Sequence, residues 1–166
     1  MLVVNKIERI VKRSGSVLTV RADSTITAAA HKMGDNGIGC LIVVNAQRHA
    51  VGIISERDVL TKVVARSANP GTVTVAEAME APIIACTLST SIDKAQQVMA
   101  SHGIRHLPII ENGVPVGMIS SRDILAHELS QARAVAVEQS KFIDELEETF
   151  PGITDLRKDR AGRIVI

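Results

Sequence analysis

The sequence predicts a mixed α/β (α+β) fold: two β-α-β-β-α repeats followed by a long C-terminal helix. Three observations carry this. Residues 51–60, VGIISERDVL, return almost letter for letter at 116–125 as VGMISSRDIL. The match runs upstream at a shift of 66, where Ile26 meets Ile92, Ala29 meets Ala95, Met33 meets Met99, Gly37 meets Gly103 and Leu41 meets Leu107. A register held over such a span, with one residue lost in a loop, marks a repeated supersecondary unit. Finally, residues 121–150 hold no Gly or Pro and carry an apolar seam. The resulting boundaries are 8–67 for the first repeat, 72–128 for the second and 129–166 for the helix and tail.

Each repeat has the same order of elements. SVLTV (16–20) and PIIAC (82–86) read as short β-branched strands. DSTITAAAHKMGDN follows, with Ile26, Ala29, Ala30 and Met33 at helical spacing behind a Ser/Thr start, and STSIDKAQQVMASH is its counterpart. Gly37 and Gly103 are placed to end these helices. CLIVV and HLPII are continuous apolar runs that suit strands covered on both faces. AVGIIS and VPVGMIS supply the third strands, and each runs into a second helix. Between the repeats, Pro70, Gly71 and Pro82 mark a linker. Within it Thr74–Met79 (TVAEAM) predicts a short helix leading into the second repeat, and VNKIERIVKR predicts the same for the first.

Composition bounds the class. Apolar residues make up 46% of the 166, with no Trp or Tyr and only Phe142 and Phe150 as aromatics, so the core must be aliphatic. The net charge of +1 argues against a protein built on phosphate-backbone electrostatics, and the lack of aromatics removes base stacking, so nucleic acid is not an expected partner. The segment 155–163 carries four Arg/Lys against two Asp, too little to change that. Cys40 and Cys86 sit in apolar runs and read as reduced core thiols. No Cys-x-x-Cys or His cluster supplies a zinc site. The sequence shows neither a signal-peptide core nor a membrane span, so the expected location is the cytoplasm and no membrane is expected as a partner.

The repeated ten letters hold the candidate chemistry. Ser55 and Asp58, and likewise Ser120 and Asp123, stand three apart at a helix start, the spacing of a capping box. The same atoms also suit a nucleotide. A helix N-terminus offers free N–H groups to a phosphate, Ser adds a hydroxyl, and an aspartate one turn in can accept both cis hydroxyls of a ribose. Gly52 and Gly117 would let a ligand approach the backbone. Arg57 and Arg122 accompany each copy. GDNGIG (34–39) follows a helix rather than a strand, so it is a helix stop and not a dinucleotide loop. No catalytic constellation is present, and Cys40 with His106 lacks any orienting group. The expected protein is not an enzyme.

Gly-hydrophobic-hydrophobic-Ser-x-x-Asp at the end of a β-α-β-β-α unit, present in tandem and with GIRHLPII in the second copy, resembles the cystathionine-β-synthase (CBS) domain pair, or Bateman module. The resemblance covers residues 8–128. It implies two repeats packed with pseudo-twofold symmetry and two clefts that take adenosine-containing ligands: AMP, ADP or ATP, with S-adenosylmethionine or NAD(H) possible and no obligatory cofactor. It implies ribose contacts from Asp58 and Asp123, hydroxyl contacts near phosphate from Ser55 and Ser120, and basic phosphate contacts from Arg105 and His106. Arg122 is a further candidate. Pro82, Ile83 and Ile84 correspond to the adenine wall. The first repeat has Gly39–Cys40 where the second has Arg105–His106, so the clefts are expected to be unequal.

In the tail, Leu125, Leu129, Ala132, Ala136, Gln139, Ile143, Leu146 and Phe150 follow 4-3 spacing, a heptad seam. At 1.5 Å per residue this helix runs about 45 Å, which predicts a homodimer through the seam. The functional expectation is a stand-alone regulatory module that senses an adenine nucleotide and passes occupancy to a regulated protein on another chain. The alternative is a structural dimer with vestigial clefts.

Overall fold

The computed structural model describes residues 6–11, 17–151, 157–158 and 164–165. The start of the predicted first strand at Ser16, and parts of the N-terminal and C-terminal stretches, lie outside them. Two compact units divide the chain, one through Ile124 and one from Leu125.

In the first unit, β1 (Thr19–Arg21), β2 (Cys40–Val44) and β3 (Ala50–Ser55) form one sheet, with β1 parallel to β2 and β2 antiparallel to β3. Helix α1 (Ile26–Asn36) crosses from β1 to β2. Thr25 caps its start through the Ala28 N–H, and Gly37 at φ 61 closes its end in the left-handed region, where a Cβ is unfavourable. Every residue of β2 is buried, as its unbroken apolar run requires. The helix after β3 is irregular. A single turn α2 (Glu56–Asp58) passes into a π-helical turn at Val59–Val63 and a 3-10 turn at Val64–Arg66.

The second repeat copies this plan with α4 (Ile92–His102), β4 (His106–Glu111) and β5 (Val114–Ser120). Its helix is capped by Ser91 and closed by Gly103 at φ 62. The strand predicted at 82–86 is not formed. Only Cys86 joins β4, its N–H donating to Pro108 O at 2.9 Å and its carbonyl accepting from Ile110 N at 2.9 Å. The reason is the course of the chain: Glu80 is paired with Ile53 of the first repeat and Cys86 with Ile109 of the second, so the residues between them cross from one repeat to the other. Pro82 also has no N–H for a ladder.

The segments preceding each repeat are exchanged. Linker helix α3 (Val75–Ala78) sends Val75 and Ala78 into the first repeat's core with Ile26, Leu41 and Ile54. The 3-10 turn Ile7–Arg9 sends Ile7 into the second repeat's core with Ile92, Leu107 and Ile119. The hydrogen bonds repeat too. Val75 N donates to Ser24 O and Ala76 N to Ala22 O, while Ile7 N donates to Thr90 O and Glu8 N to Leu88 O. Each core is therefore completed by residues outside its own repeat, and burial of one such aliphatic side chain is worth about 1.5–3 kcal/mol. The repeats meet directly where Ala50 N donates to Gly113 O at 2.9 Å and Cys40 Sγ lies 4.0 Å from Met118 Sδ.

Helix α5 (Ser121–Thr149) begins in the second repeat, where Ile124 is buried. From Leu125 it belongs to the second unit, in which β6 (Arg157–Lys158) and β7 (Ile164–Val165) pair antiparallel. In that unit Leu125, Leu129, Ile143 and Phe150 of the seam are exposed. Among the described residues no helix is long and apolar enough to cross a membrane.

Candidate functional site

In both copies the end of the third strand lies beside the start of the second. The register pairs Cys40 with Ser55 and His106 with Ser120. Glu56 N donates to Gly39 O, and Ser121 N donates to Arg105 O, each at 3.0 Å. Strand pairing alone thus gathers Arg105, His106, Ser120, Arg122 and Asp123 into one group. The first repeat gathers Gly39, Cys40, Ser55, Arg57 and Asp58 in the same way.

The capping geometry is present in both. Asp58 Oδ2 accepts from Ser55 N at 2.9 Å and Ser55 Oγ at 2.5 Å, and Asp58 N donates back to Ser55 Oγ at 3.3 Å. Asp123 Oδ2 accepts from Ser120 N at 2.8 Å and Ser120 Oγ at 2.5 Å, with Asp123 N returning a bond of 3.2 Å. Both aspartates therefore hold a helix start, whatever else they do.

Beyond the caps the copies part. Asp58 is buried, and its Oδ1 lies 3.1 Å from Lys62 Nζ. Burial pushes its carboxyl upward, but the bonds from Ser55 and Lys62 outweigh this and hold it below the ordinary range. Lys62 also donates to Ala78 O at 2.9 Å and Glu80 Oε1 at 2.5 Å, joining the turn after Asp58 to the linker. Asp123 is exposed, and its Oδ1 has no partner among the described residues. Lys62 is missing from the set drawn from the repeat because the second copy has His127 at that place. An Asp–Lys pair at i,i+4 on a helix was the available signal.

The charges differ as well. The carboxylate of Glu56 lies over Gly39, 3.3 Å from where a Cβ would stand. Burial and then Glu56 push the Cys40 thiol up to about 11, and burial with Glu111 does the same to Cys86, so neither is a thiolate nucleophile near neutral pH. In the second copy burial and then Arg105 hold His106 below its ordinary value, Asp123 pulling the other way and Arg122 adding to the depression. The second site is thus basic through two arginines with a neutral imidazole that an anion would charge, and the first is acidic beside Gly39.

Gly52 does not face an open ligand space. A Cβ there would stand 2.6 Å from Met79 Sδ and 2.8 Å from Glu80 O, so the linker occupies the close approach. Pro82, Ile83 and Ile84 follow directly. Ile83 and Ile84 are half-buried and their backbone N–H and C=O groups make no hydrogen bond among the described residues. Among the described residues no hydrogen bond joins this segment to the Arg105–Asp123 group.

Comparison with known proteins agrees with the repeat. The family model described as CBS domain matches residues 7–65 and 75–130. An uncharacterized protein of Methanopyrus kandleri is 36% identical over 131 residues, 78% of this chain and 67% of its own length. The CBS domain-containing protein YhcV of Bacillus subtilis is 30% identical over 118 residues, 71% of this chain and 83% of that one. Among solved structures, a CBS-domain containing protein from Agrobacterium tumefaciens matches with a TM-score of 0.68 at 29% identity, covering 75% of this chain and 99% of that one.

Proposed function

Because the chain belongs to the CBS-domain family and carries the domain twice, we propose that it is a non-enzymatic, cytoplasmic regulatory module that senses an adenosine-containing ligand. The reading rests above all on the second repeat's group, where Arg105, His106, Ser120 and Arg122 lie at one end of the β4–β5 pair with an aspartate whose Oδ1 has no partner among the described residues. The phosphate of AMP, ADP or ATP falls to the basic side chains and the Ser120 hydroxyl, and the ribose to Asp123. The adenine edge falls to the backbone of Ile83 and Ile84, with Pro82 beside it. S-adenosylmethionine and NAD(H) share the ribose and adenine contacts. Asp58 and Ser55 form a second, poorer site. Occupancy shifts the arrangement of the repeats only as far as the ligand prefers one arrangement over another.

The molecule acts as a homodimer through the exposed heptad seam of α5, and its regulated partner is a separate protein. The test is direct. With neither Trp nor Tyr in the sequence, a purine absorbance band in the purified protein reports bound nucleotide. A thermal-shift series with AMP, ADP, ATP, NADH and S-adenosylmethionine extends it, since a ligand at a hundred times its Kd adds about 2.7 kcal/mol of stability. The absence of any shift favours the rival reading, a structural dimer whose clefts are vestigial.

A further inference from the structure

We propose that Lys62 is a built-in competitor for the Asp58 carboxylate, closing the first repeat's aspartate to ribose and leaving Asp123 as the open one. This rests on the reading of the aspartates as ribose acceptors. A carboxylate offers about four lone-pair positions. In both copies Ser N–H and Ser Oγ fill the two on Oδ2. Among the described residues nothing bonds Asp123 Oδ1, which keeps both its positions, the number a cis-diol needs. Asp58 Oδ1 instead faces the Lys62 ammonium in an ion pair at 3.1 Å, and the residue is only 8% exposed.

Lys62 is not a surface lysine that swings aside freely. Besides the ion pair with Asp58, its ammonium donates to Ala78 O at 2.9 Å and Glu80 Oε1 at 2.5 Å, which hold it in place. It is carried by the π-helical turn Val59–Val63, whereas the second repeat continues as regular helix at the equivalent place. Such turns are rare overall but frequent at functional sites. The Glu56 carboxylate over Gly39 further disfavours a phosphate in the first cleft, so the ligand that discriminates is the uncharged nucleoside.

The experiment is calorimetric titration of the full chain with adenosine. Wild type is expected to bind one per chain and Lys62→Met two, with Lys62→Arg, which keeps the cation, returning to one. The double variant K62M/D123A is expected to keep the one site that K62M opens. Lys62→Gln repeats the measurement if the Met variant does not fold. A Lys62→Met protein with no more sites than wild type overturns the proposal, and so does one with fewer, which would make Lys62 a ligand contact. Failure of the underlying reading looks different. There wild type binds nothing, D123A changes nothing, and a site that appears only in K62M still upholds the competitor.

Discussion

Ile53 and Glu80 exchange two backbone hydrogen bonds, 3.1 Å from Ile53 N to Glu80 O and 2.8 Å from Glu80 N to Ile53 O. One residue earlier in the strand, Gly52 leaves room for this contact, since a Cβ would stand 2.8 Å from the same Glu80 carbonyl. A carbonyl held in a bridge cannot give way cheaply. Gly52→Ala is therefore expected to cost about 1–3 kcal/mol in urea unfolding, the range for overpacked sites. Gly117→Ala is the internal comparison. Its nearest neighbours are the side-chain ends Ile109 Cδ1 at 3.1 Å and Val11 Cγ1 at 3.3 Å, which can shift, so its loss is expected to be smaller. Equal losses would show that the linker contact is not what requires glycine.

The seam of α5 makes its own prediction. Leu129 is 52% exposed and Ile143 49% exposed in the single chain. Replacing both with Asp is expected to convert a dimer to monomer in light scattering, while each exposed substitution changes the stability of the isolated chain by no more than about 0.5 kcal/mol. A double variant that stays fully dimeric would move the interface away from this seam.

His106 ties affinity to pH. Burial and Arg105 hold the free imidazole below its ordinary value. A phosphate beside it favours the charged form and raises that value again. Binding then takes up a proton between the two, so AMP affinity is expected to strengthen as pH falls from the raised bound value to the free one, which lies below the ordinary histidine value of about 6.5. Adenosine, lacking phosphate, is the control and is expected to show no such dependence. Titration at pH 8 and pH 6 checks this as the ratio of wild-type to His106→Gln affinity for AMP, since the phosphate's own proton, released at about pH 6, is common to both proteins; the ratio should rise at pH 6. A ratio that does not change with pH would place the proton elsewhere.

The repeat was legible because two copies of one unit reinforce each other letter by letter. The α1 and α4 helices, their glycine stops and the four paired strands after them follow directly from apolar period and cap chemistry. Three features were not legible, each for a physical reason. PIIAC has strand composition, yet its chain must cross between the repeats, and a local pattern carries no signal of that route. Ile7 and Val75 show as apolar residues before each repeat, but which core they enter depends on tertiary exchange. Lys62 stands outside the repeated letters, so a search for shared residues passes over the one side chain that makes the two aspartates different. The Ser–Asp pairs were legible as chemistry with two meanings. Their caps are formed in both copies, while the ribose role depends on what meets the open oxygen of Asp123.

That oxygen is where the account is most directly tested. Asp123→Asn keeps an acceptor for Ser120 N–H, and so much of the cap, while removing the charge that strengthens bonds from ribose hydroxyls. Hydrogen bonds to a charged group are worth about 1.5–3 kcal/mol, so calorimetric titration with AMP is expected to show at least a tenfold weaker Kd. The cost in urea unfolding should stay near or below about 1 kcal/mol, the scale of a helix-start charge. The contradicting result is saturable AMP binding of wild-type affinity in Asp123→Asn, or no AMP binding in the wild-type chain, with stability alone reduced. Asp123 would then be a helix cap and nothing more.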